Sequence, residues 1–370
     1  METQDIFFGI TPLADCHTVM ARKSNREVKS MKNTKIIAGL LLALALTGPA
    51  SPAAAARPGD LLVPVGQTVG IELDCRGVVV TGFADVQTAS GSVCPARAAG
   101  ILPGDVILGV DGQTVADGAA FLDRAEHFGA ESVTLRIRRN ARETEVTVTP
   151  RENRDGAWQL GLWLRDSVHG IGTVTFYDPD TGAYGALGHG VSLPESQELM
   201  DIAGGSIFSA SVVDVAAGRK GEPGELHGTA DGEAVLGRVE QNTPRGIFGT
   251  ADAPLGELPA VPVAADSEIR PGKVRILATV DGGGPREFDA EILRVDLFAG
   301  QSRQLSIAVT DPELLTATGG IVQGMSGAPI LQNGKLVGAV THVLLNDPSK
   351  GYGISMENML AGIWGGSAAA

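Results

Sequence analysis

The sequence has few aromatic residues, and this shortage narrows the fold classes that it can adopt. Aromatic residues make up 4% of the 370 residues, whereas glycine occurs 50 times. Long helical patterns are also scarce, and glycine-rich sequences with few helical stretches favour short strands joined by turns. A chain of this length is expected to form about two domains. The sequence therefore predicts a mainly β protein with more than one domain.

Positive charge is also in short supply. Lys and Arg total 29 against 43 Asp and Glu, which gives a net charge of -14. The acidic excess lies after residue 56, because residues 1–56 hold six Lys or Arg and four Asp or Glu. Such a surface repels nucleic acid and offers no electrostatic reason to bind an anionic membrane. Nucleic acid is therefore excluded as an expected partner, and proteins or peptides remain.

The apolar run at residues 36–46 is too short for an ordinary membrane span, which takes about 20 residues. It follows the basic start Met31-Lys32-Asn33-Thr34-Lys35 and precedes an Ala-rich stretch that ends near residue 56. These are the three parts of a secretory signal, so residues 31–56 are predicted to be a signal peptide, with an uncleaved anchor as the alternative. Met31 is the better natural start, and residues 1–30 are interpreted as a spurious extension. We expect the protein to be exported.

Cysteine is rare, with three residues at Cys16, Cys75 and Cys94. Cys16 precedes the predicted start, which leaves Cys75 and Cys94 as a pair in an exported domain. The pair either forms a disulfide or consists of two small buried apolar side chains. Neither the spacing nor neighbouring histidines suggest a metal site. No metal and no organic cofactor are expected.

Residues 59–150 look like a PDZ domain. The evidence is the run AGILPGDVILGVDG at residues 99–112 and the preceding Val69-Gly70-Ile71. In PDZ domains, a loop with glycine between two hydrophobic residues exposes backbone N–H groups that hold the terminal carboxylate of a peptide beside an open sheet edge. We therefore predict that Val69, Gly70 and Ile71 bind peptide, and that residues 117–128 form the helix that lines the groove.

Ser326 lies in the setting of a nucleophile. It is flanked by Gly324 and Gly327, which let the backbone adopt positive φ and bring N–H groups together around one point. The segment that follows contains Asn333-Gly334, the commonest signal for a two-residue β-hairpin. A serine before a hairpin differs from the strand-to-helix elbow of α/β-hydrolases and indicates an all-β hydrolase. The backbone N–H groups of Gly324 and Ser326 are the predicted oxyanion hole.

The longer context resembles the SpoIVB family of sporulation serine peptidases. The resemblance rests on GGIVQGMSGAPI at residues 319–330, LGLWLRDSVHGIGTVTFYDPDTGAYGALGHG at residues 160–190 and NTPRGIFG at residues 242–249. It implies a PDZ-like domain followed, over residues 158–370, by a chymotrypsin-like double β-barrel peptidase domain.

The resemblance also implies the catalytic partners of the serine. The GALGHG motif makes His189 the expected general base, and His169, His227 and His342 have no comparable context. The implied acid is Asp311.

A structural alternative stays open for that acid, because Asp311 followed by Pro312 and Glu313 is also typical of a helix start, with Asp311 as the N-cap. Asp296 is the next candidate.

The resemblance further implies an exported serine endopeptidase that cleaves itself and a membrane-bound regulator. Such cleavage would trigger activation of a late sigma factor from the space between forespore and mother cell. Its expected partners are protein substrates, including itself, and a peptide or protein C terminus in the PDZ groove. A catalytically inactive scaffold that binds protein termini is the alternative.

Overall fold

The computed structural model describes residues 58–300 and 302–364, and it is mainly β, as predicted. The expected extension at residues 1–30, the expected signal at residues 31–56 and Cys16 lie outside the described residues. None of the helices in the described ranges is both long and apolar enough to pass through a membrane.

Strands make up most of the described chain. In chain order they are β1 (Leu61–Pro64), β2 (Thr68–Phe83), β3 (Val86–Thr88), β4 (Gly91–Val93), β5 (Val106–Val110), β6 (Gln113–Thr114), β7 (Val133–Arg139), β8 (Arg142–Val148), β9 (Arg151–Glu152), β10 (Trp158–Gln159), β11 (Leu162–Tyr177), β12 (Ala183–Ala186), β13 (Ile202–Ala216), β14 (Glu225–Thr243), β15 (Gly246–Ala251), β16 (Val261–Pro262), β17 (Gly272–Ala278), β18 (Arg286–Val295), β19 (Leu305–Val309), β20 (Pro329–Gln332), β21 (Lys335–Leu344) and β22 (Asp347–Ser355). The helices are α1 (Pro95–Ala98), α2 (Gly118–Ala125), α3 (Pro312–Thr318) and α4 (Met356–Trp364), with a 3₁₀ turn at Asp266–Glu268.

The strands of the peptidase part, together with β2 from the preceding part of the chain, form two closed rings. One is the barrel β17-β18-β19-β22-β21-β20. The other runs β11-β12-β15-β14-β13-β2 and closes because β11 pairs with β2 as well as with β12. The expected double β-barrel is thereby confirmed.

Each ring is filled by apolar side chains that point inward at every second position. On β17, Val274 and Ile276 are buried whereas Lys273 and Arg275 between and beside them are exposed, which is the period-2 pattern of a strand with one buried face. Full burial of one such isoleucine contributes about 1.5–3 kcal/mol. The rings have two main apolar clusters, and Val212 on β13 and Leu226 on β14 of the first ring pack into the cluster of the second.

The PDZ-like part has its own core but shares a strand with the first ring. Its strands β5, β7 and β8 pack with α2 around an apolar cluster that includes Ile107, Phe121 and Leu135. The second half of β2 belongs to this unit, since Val78 and Val79 pair with β5. The first half of the same strand is part of the barrel, so one sheet runs across the two domains expected from the sequence.

The predicted carboxylate-binding loop at Val69, Gly70 and Ile71 is wrong. These residues are buried in the first half of β2, where they pair with β11 on one edge and with β13 on the other. A strand with neighbours on both edges has no free backbone donors for a peptide. The helix predicted at residues 117–128 is present as α2, with Asp117 as its N-cap.

Cys75 and Cys94 do not form a disulfide, and both are free thiols. Burial raises the pKa of Cys75 to about 12, as expected for an inert core thiol. Cys94 donates its thiol hydrogen to the Gly161 carbonyl at 3.3 Å. Cys75 therefore fits the alternative of a small buried apolar side chain, whereas Cys94 is only partly buried.

Candidate active site

His189 is carried to the second barrel by the β11–β12 hairpin. The chain leaves β12 through Leu187 and Gly188, whose φ values are 70° and 69°. A β-carbon on Gly188 would lie 2.9 Å from the Thr341 side chain and 3.0 Å from the Ile354 side chain. Glycine is therefore required there, because the turn presses directly against β21 and β22. This close approach places His189 where the two barrels meet.

The Ser326 loop meets the same junction from the other barrel. The Ser326 carbonyl oxygen accepts a hydrogen bond from the Thr173 N–H at 2.9 Å, and the Thr173 hydroxyl donates to the Gly324 carbonyl at 2.7 Å. The Thr175 hydroxyl donates to the Gly327 carbonyl at 2.7 Å. Strand β11 of the first barrel thus holds the loop of the second at three points.

The Ser326 hydroxyl is buried and occupied in this structure. Ser326 is 3% exposed, and its hydroxyl donates to the Thr341 carbonyl at 3.1 Å. The next residue on β21, His342, lies with its ring centroid 5.5 Å from that of His189. Serine and histidine therefore share one small site, although the hydroxyl is not bonded to the imidazole.

The tautomer of His189 follows from its hydrogen bond. Its Nδ1 lies 3.0 Å from the Gly190 carbonyl oxygen, and because a carbonyl can only accept, Nδ1 must carry the proton. Nε2 is then the atom with the free lone pair, and it is buried with no hydrogen-bond partner among the described residues. A neutral imidazole with an unused basic nitrogen has the form that a general base needs.

Burial keeps this histidine neutral. It lowers the pKa of His189 below its usual value of 6.5, and the bond to Gly190 opposes the shift only in part. Burial, together with His189 and Arg303, also lowers the pKa of His342 to about 3. Both imidazoles are accordingly uncharged at neutral pH, because an ionised ring here would lack water.

The structure does not bring Asp311 to His189. The Asp311 Oδ1 accepts from the N–H groups of Glu313 and Leu314 at 2.9 and 3.1 Å, and its Oδ2 accepts from the Asp289 N–H at 3.1 Å. Partial burial opposes ionisation, but these backbone bonds lower the pKa of the Asp311 carboxyl. The residue is the N-cap of α3, so the structural alternative is the one observed.

The other predicted acid and the competing histidines also lie apart from the pair. Asp296 forms an ion pair with Arg294 at 2.7 Å. His169 lies on β11 beside Glu72 at 3.8 Å, and His227 lies on β14 near Glu225 at 3.9 Å. Within the described ranges, no group of three or more His, Cys, Asp or Glu side chains could hold a metal ion.

The backbone around Ser326 leaves two amides uncommitted. The N–H groups of Met325, Gly327 and Ala328 donate to neighbouring carbonyls. Those of Gly324 and Ser326, the predicted oxyanion donors, have no acceptor in the part of the chain that the structure describes. The positive φ of Gly324, 95°, shapes this stretch. Donors without acceptors beside a nucleophile can stabilise an oxyanion.

Comparison with known proteins identifies the family of this chain. The family model "SpoIVB peptidase S55" matches residues 156–360, which is more than half of the sequence. The chain belongs to the SpoIVB peptidase S55 family. A PDZ domain model matches residues 69–149, so this S55 peptidase carries a PDZ domain before its peptidase domain. A search of curated proteins finds no match.

Two solved structures show distant likeness. The PDZ domain of an SdrC-like protein from Listeria monocytogenes is 19% identical over 24% of this chain and 87% of its own, with a TM-score of 0.20. The inactive form of the Rv3671c protease, a protein of M. tuberculosis H37Rv, is 14% identical over 54% of this chain and 85% of its own, with a TM-score of 0.32.

Sequence reasoning missed the carbonyls of Thr341 and Gly190 and the contact between His342 and His189. A backbone carbonyl carries no residue signature, so no motif could have indicated the first two. His342 was visible on the strand after the nucleophile, but only the closure of the barrel turns it toward His189. The S55 site therefore contains groups that depend on tertiary structure alone.

Proposed function

We propose that the protein is an exported serine endopeptidase in which Ser326 attacks a peptide carbonyl and His189 acts as the general base. The observation that carries this proposal is the buried, neutral His189 with its Nε2 unoccupied, at the junction where the Ser326 loop is held. A nucleophilic side chain next to a neutral general base is the arrangement that acyl transfer needs.

The chemistry requires one rotation of the serine side chain. The hydroxyl leaves the Thr341 carbonyl and donates to His189 Nε2, which takes the proton as Oγ attacks the carbonyl carbon. The N–H groups of Gly324 and Ser326 then stabilise the oxyanion, and His189 returns the proton to the leaving amine. The Gly190 carbonyl fixes the imidazole in the role that a carboxylate has in a Ser-His-Asp triad.

The wider role follows the family. We infer that the enzyme acts during sporulation, in the space between forespore and mother cell, where it cleaves itself and a membrane-bound regulator and so triggers activation of a late sigma factor. The PDZ domain selects these protein substrates. The family's name and the secretory pattern at residues 31–56 support this assignment.

A second candidate is a catalytically inactive scaffold that binds protein termini. The observation in its favour is the bond from the Ser326 hydroxyl to the Thr341 carbonyl, which keeps the hydroxyl away from His189. A scaffold would keep this bond permanently, whereas an enzyme would break it in each turnover.

Labelling with a fluorophosphonate probe separates the two candidates. The wild-type chain should be labelled, Ser326→Ala should not be labelled, and His189→Ala should be labelled at least about 10⁴-fold more slowly. Ser92→Ala, a change on an exposed strand of the PDZ domain, is the control and should match the wild type. Absence of labelling in freshly purified, folded wild-type protein would favour the scaffold. Mass spectrometry of the same samples would show self-cleavage as fragments that Ser326→Ala lacks.

A further inference from the structure

The candidate active site is closed in this structure. Ser326 is 3% exposed and His189 is 5% exposed, so a peptide carbonyl cannot approach the Ser326 hydroxyl in this arrangement. A substrate must also reach the amides of Gly324 and Ser326, because they are the proposed oxyanion donors. An element that covers this region must therefore move before a peptide binds.

The end of the β13–β14 hairpin lies beside these amides. It comprises residues 217–226, which we term the strap, and it extends from the first barrel onto the second. Backbone hydrogen bonds hold it there. They run from the Gly218 N–H to the Thr318 carbonyl (2.8 Å), from the Gly221 N–H to the Leu345 carbonyl (2.7 Å), from the Gln323 N–H to the Gly224 carbonyl (2.8 Å) and from the Leu226 N–H to the Gln323 carbonyl (2.9 Å).

The strap lies along the chain that leads to Ser326 in the manner of an added strand. Glu225 forms an isolated parallel bridge with Gln323, and Gln323 bonds to Gly224 and Leu226 on either side of it. An extended peptide that binds along a backbone makes main-chain bonds of this kind, and pockets take its side chains. The strap therefore fills backbone positions that a substrate can use.

Leu226 of the strap is buried next to the oxyanion amides. A β-carbon on Gly324 would lie 3.0–3.2 Å from three atoms of the Leu226 side chain, so this side chain lies directly against the Gly324 backbone. Leu226 belongs to the apolar cluster of the second barrel, together with Val322, Met325 and Val343. Apolar surroundings accept a leucine side chain and disfavour a polar one, because a buried polar group without a hydrogen bond is costly.

We propose that the strap is an internal occupant of the substrate-binding cleft, and that Leu226 fills the subsite that takes an apolar side chain of the substrate. The proposal rests on the proposed peptidase function and adds to it a substrate class and a closed state. A peptide with a leucine-like residue displaces the strap and makes the bonds to Gln323 in its place. Opening of the strap then limits how fast a substrate reaches Ser326.

Gly224→Ala tests whether the strap covers the nucleophile. A β-carbon on Gly224 would lie 2.4 Å from the Ala216 carbonyl oxygen and 2.6 Å from Val322 Cγ1, so alanine should push the strap away from the second barrel. Fluorophosphonate labelling of the full chain should become at least about tenfold faster, because local opening becomes easier. Gly204→Ala, on β13 of the same hairpin, is the matched control, since nothing lies within 4 Å of a β-carbon there, and it should be labelled at the wild-type rate. Equal rates in the two variants would overturn the proposal.

Two peptide phosphonate probes test the subsite. Each has a blocked N terminus and two alanines before the phosphonate residue, whose side chain is that of leucine in one probe and of asparagine, its polar isostere, in the other. The leucine probe should label the wild-type chain at least about tenfold faster than the asparagine probe. Leu226→Ala, in which the strap no longer fills the subsite, should react with the leucine probe faster than the wild type does. Equal rates for the two probes, or no gain in Leu226→Ala that denaturant titration shows to be folded, would contradict the subsite.

Hydrogen exchange on the full chain separates this proposal from the peptidase function, with Ser326→Ala used so that no covalent step is needed. An excess of a blocked alanyl-alanyl-leucine peptide should speed exchange of the strap amides of Gly218, Gly221 and Leu226, because the peptide takes the place of the strap. The corresponding asparagine peptide should not, and exchange at residues 274–278 should stay unchanged with both. Faster strap exchange would support the proposal even if no probe labels the chain. No change at the strap would overturn it, whether or not the chain is labelled.

Discussion

Replacing Gly327 with alanine should separate the nucleophile from its base. Gly327 has a φ of 96°, and a β-carbon there would lie 2.0 Å from the Thr173 carbonyl oxygen and 2.6 Å from the Leu187 nitrogen. Thr173 belongs to the strand that holds the Ser326 loop, and Leu187 begins the turn to His189. The new methyl group therefore pushes the loop away from both the strand and the turn. Neither can move aside easily, because both contacts are with backbone atoms.

The expected loss of stability in Gly327→Ala has two parts. A non-glycine residue at positive φ costs about 1–2 kcal/mol, and overpacking a close contact costs about 1–3 kcal/mol, so Gly327→Ala should lower the free energy of unfolding by about 2–5 kcal/mol. Gly334→Ala is the matched control. Its φ is 75° and nothing lies within 4 Å of a β-carbon there, so only the first part, about 1–2 kcal/mol, applies.

Activity distinguishes the two variants more sharply than stability does. A displacement of about 1 Å between reacting groups lowers the rate about 10²-fold. Fluorophosphonate labelling of Gly327→Ala, measured under conditions where denaturant titration shows it folded, should be slower by at least this factor. Gly334→Ala should be labelled at the wild-type rate. Wild-type labelling of Gly327→Ala, or an equal loss of stability in the two variants, would refute the close approach of loop, strand and turn.

Four other predictions concern ionisable groups and the barrel strand β2. Asp311→Asn should leave the rate of labelling within a few-fold of wild type, because asparagine is an equally good N-cap. Asp311→Ala should lower the free energy of unfolding by about 1 kcal/mol. A loss of about 10⁴-fold in the labelling of Asp311→Asn would restore the catalytic role of Asp311. Labelling should persist below pH 6.5 and fall only as His189 becomes protonated. The pKa values of His189 and His342 in the folded protein lie below 6.5. The contribution of the two neutral rings to stability is therefore complete above pH 6.5 and is lost as the pH falls toward the folded pKa values. The free energy of unfolding then decreases by about 1.4 kcal/mol per pH unit for each ring. His342→Gln should flatten that slope by one such increment in denaturant titrations at pH 5 and pH 6, and an unchanged slope would count against a buried, neutral His342. Gly70→Glu should unfold the first barrel, because it places a charged side chain at a buried position of β2. A folded variant with selective loss of peptide binding would contradict the placement of Gly70.

The sequence was sufficient to predict the β architecture and the placement of Ser326 and His189 on glycine-rich turns. These features rest on local signals: alternation along β17, the Asn333-Gly334 turn, and glycines where the backbone needs positive φ. The family resemblance added the order of the domains. Local signals succeed here because each depends on only a few neighbouring residues.

The same reasoning failed where two local signals coincide. The stretch Asp311-Pro312-Glu313 fits both a catalytic acid and a helix start, and only the position of α3 relative to His189 decides between them. Val69-Gly70-Ile71 reads as a peptide-binding loop, but its neighbours in the sheet are β11 and β13, about 100 and 140 positions away along the chain. Strand pairing at such separations cannot be read from a window of residues.

The strength of the hydrogen bond from the Ser326 hydroxyl to the Thr341 carbonyl limits how far it can reduce the fraction of hydroxyls that are free to attack a substrate. A neutral hydrogen bond contributes about 0.5–1.5 kcal/mol net, and about 1.4 kcal/mol corresponds to a factor of ten in population. Preference for the Thr341 carbonyl therefore lowers the attack-ready fraction of the hydroxyl by about tenfold at most, which is small against the rate enhancement of a peptidase. In the proposed mechanism, the step from the observed arrangement to the attack-ready one is thus a single rotamer change of Ser326.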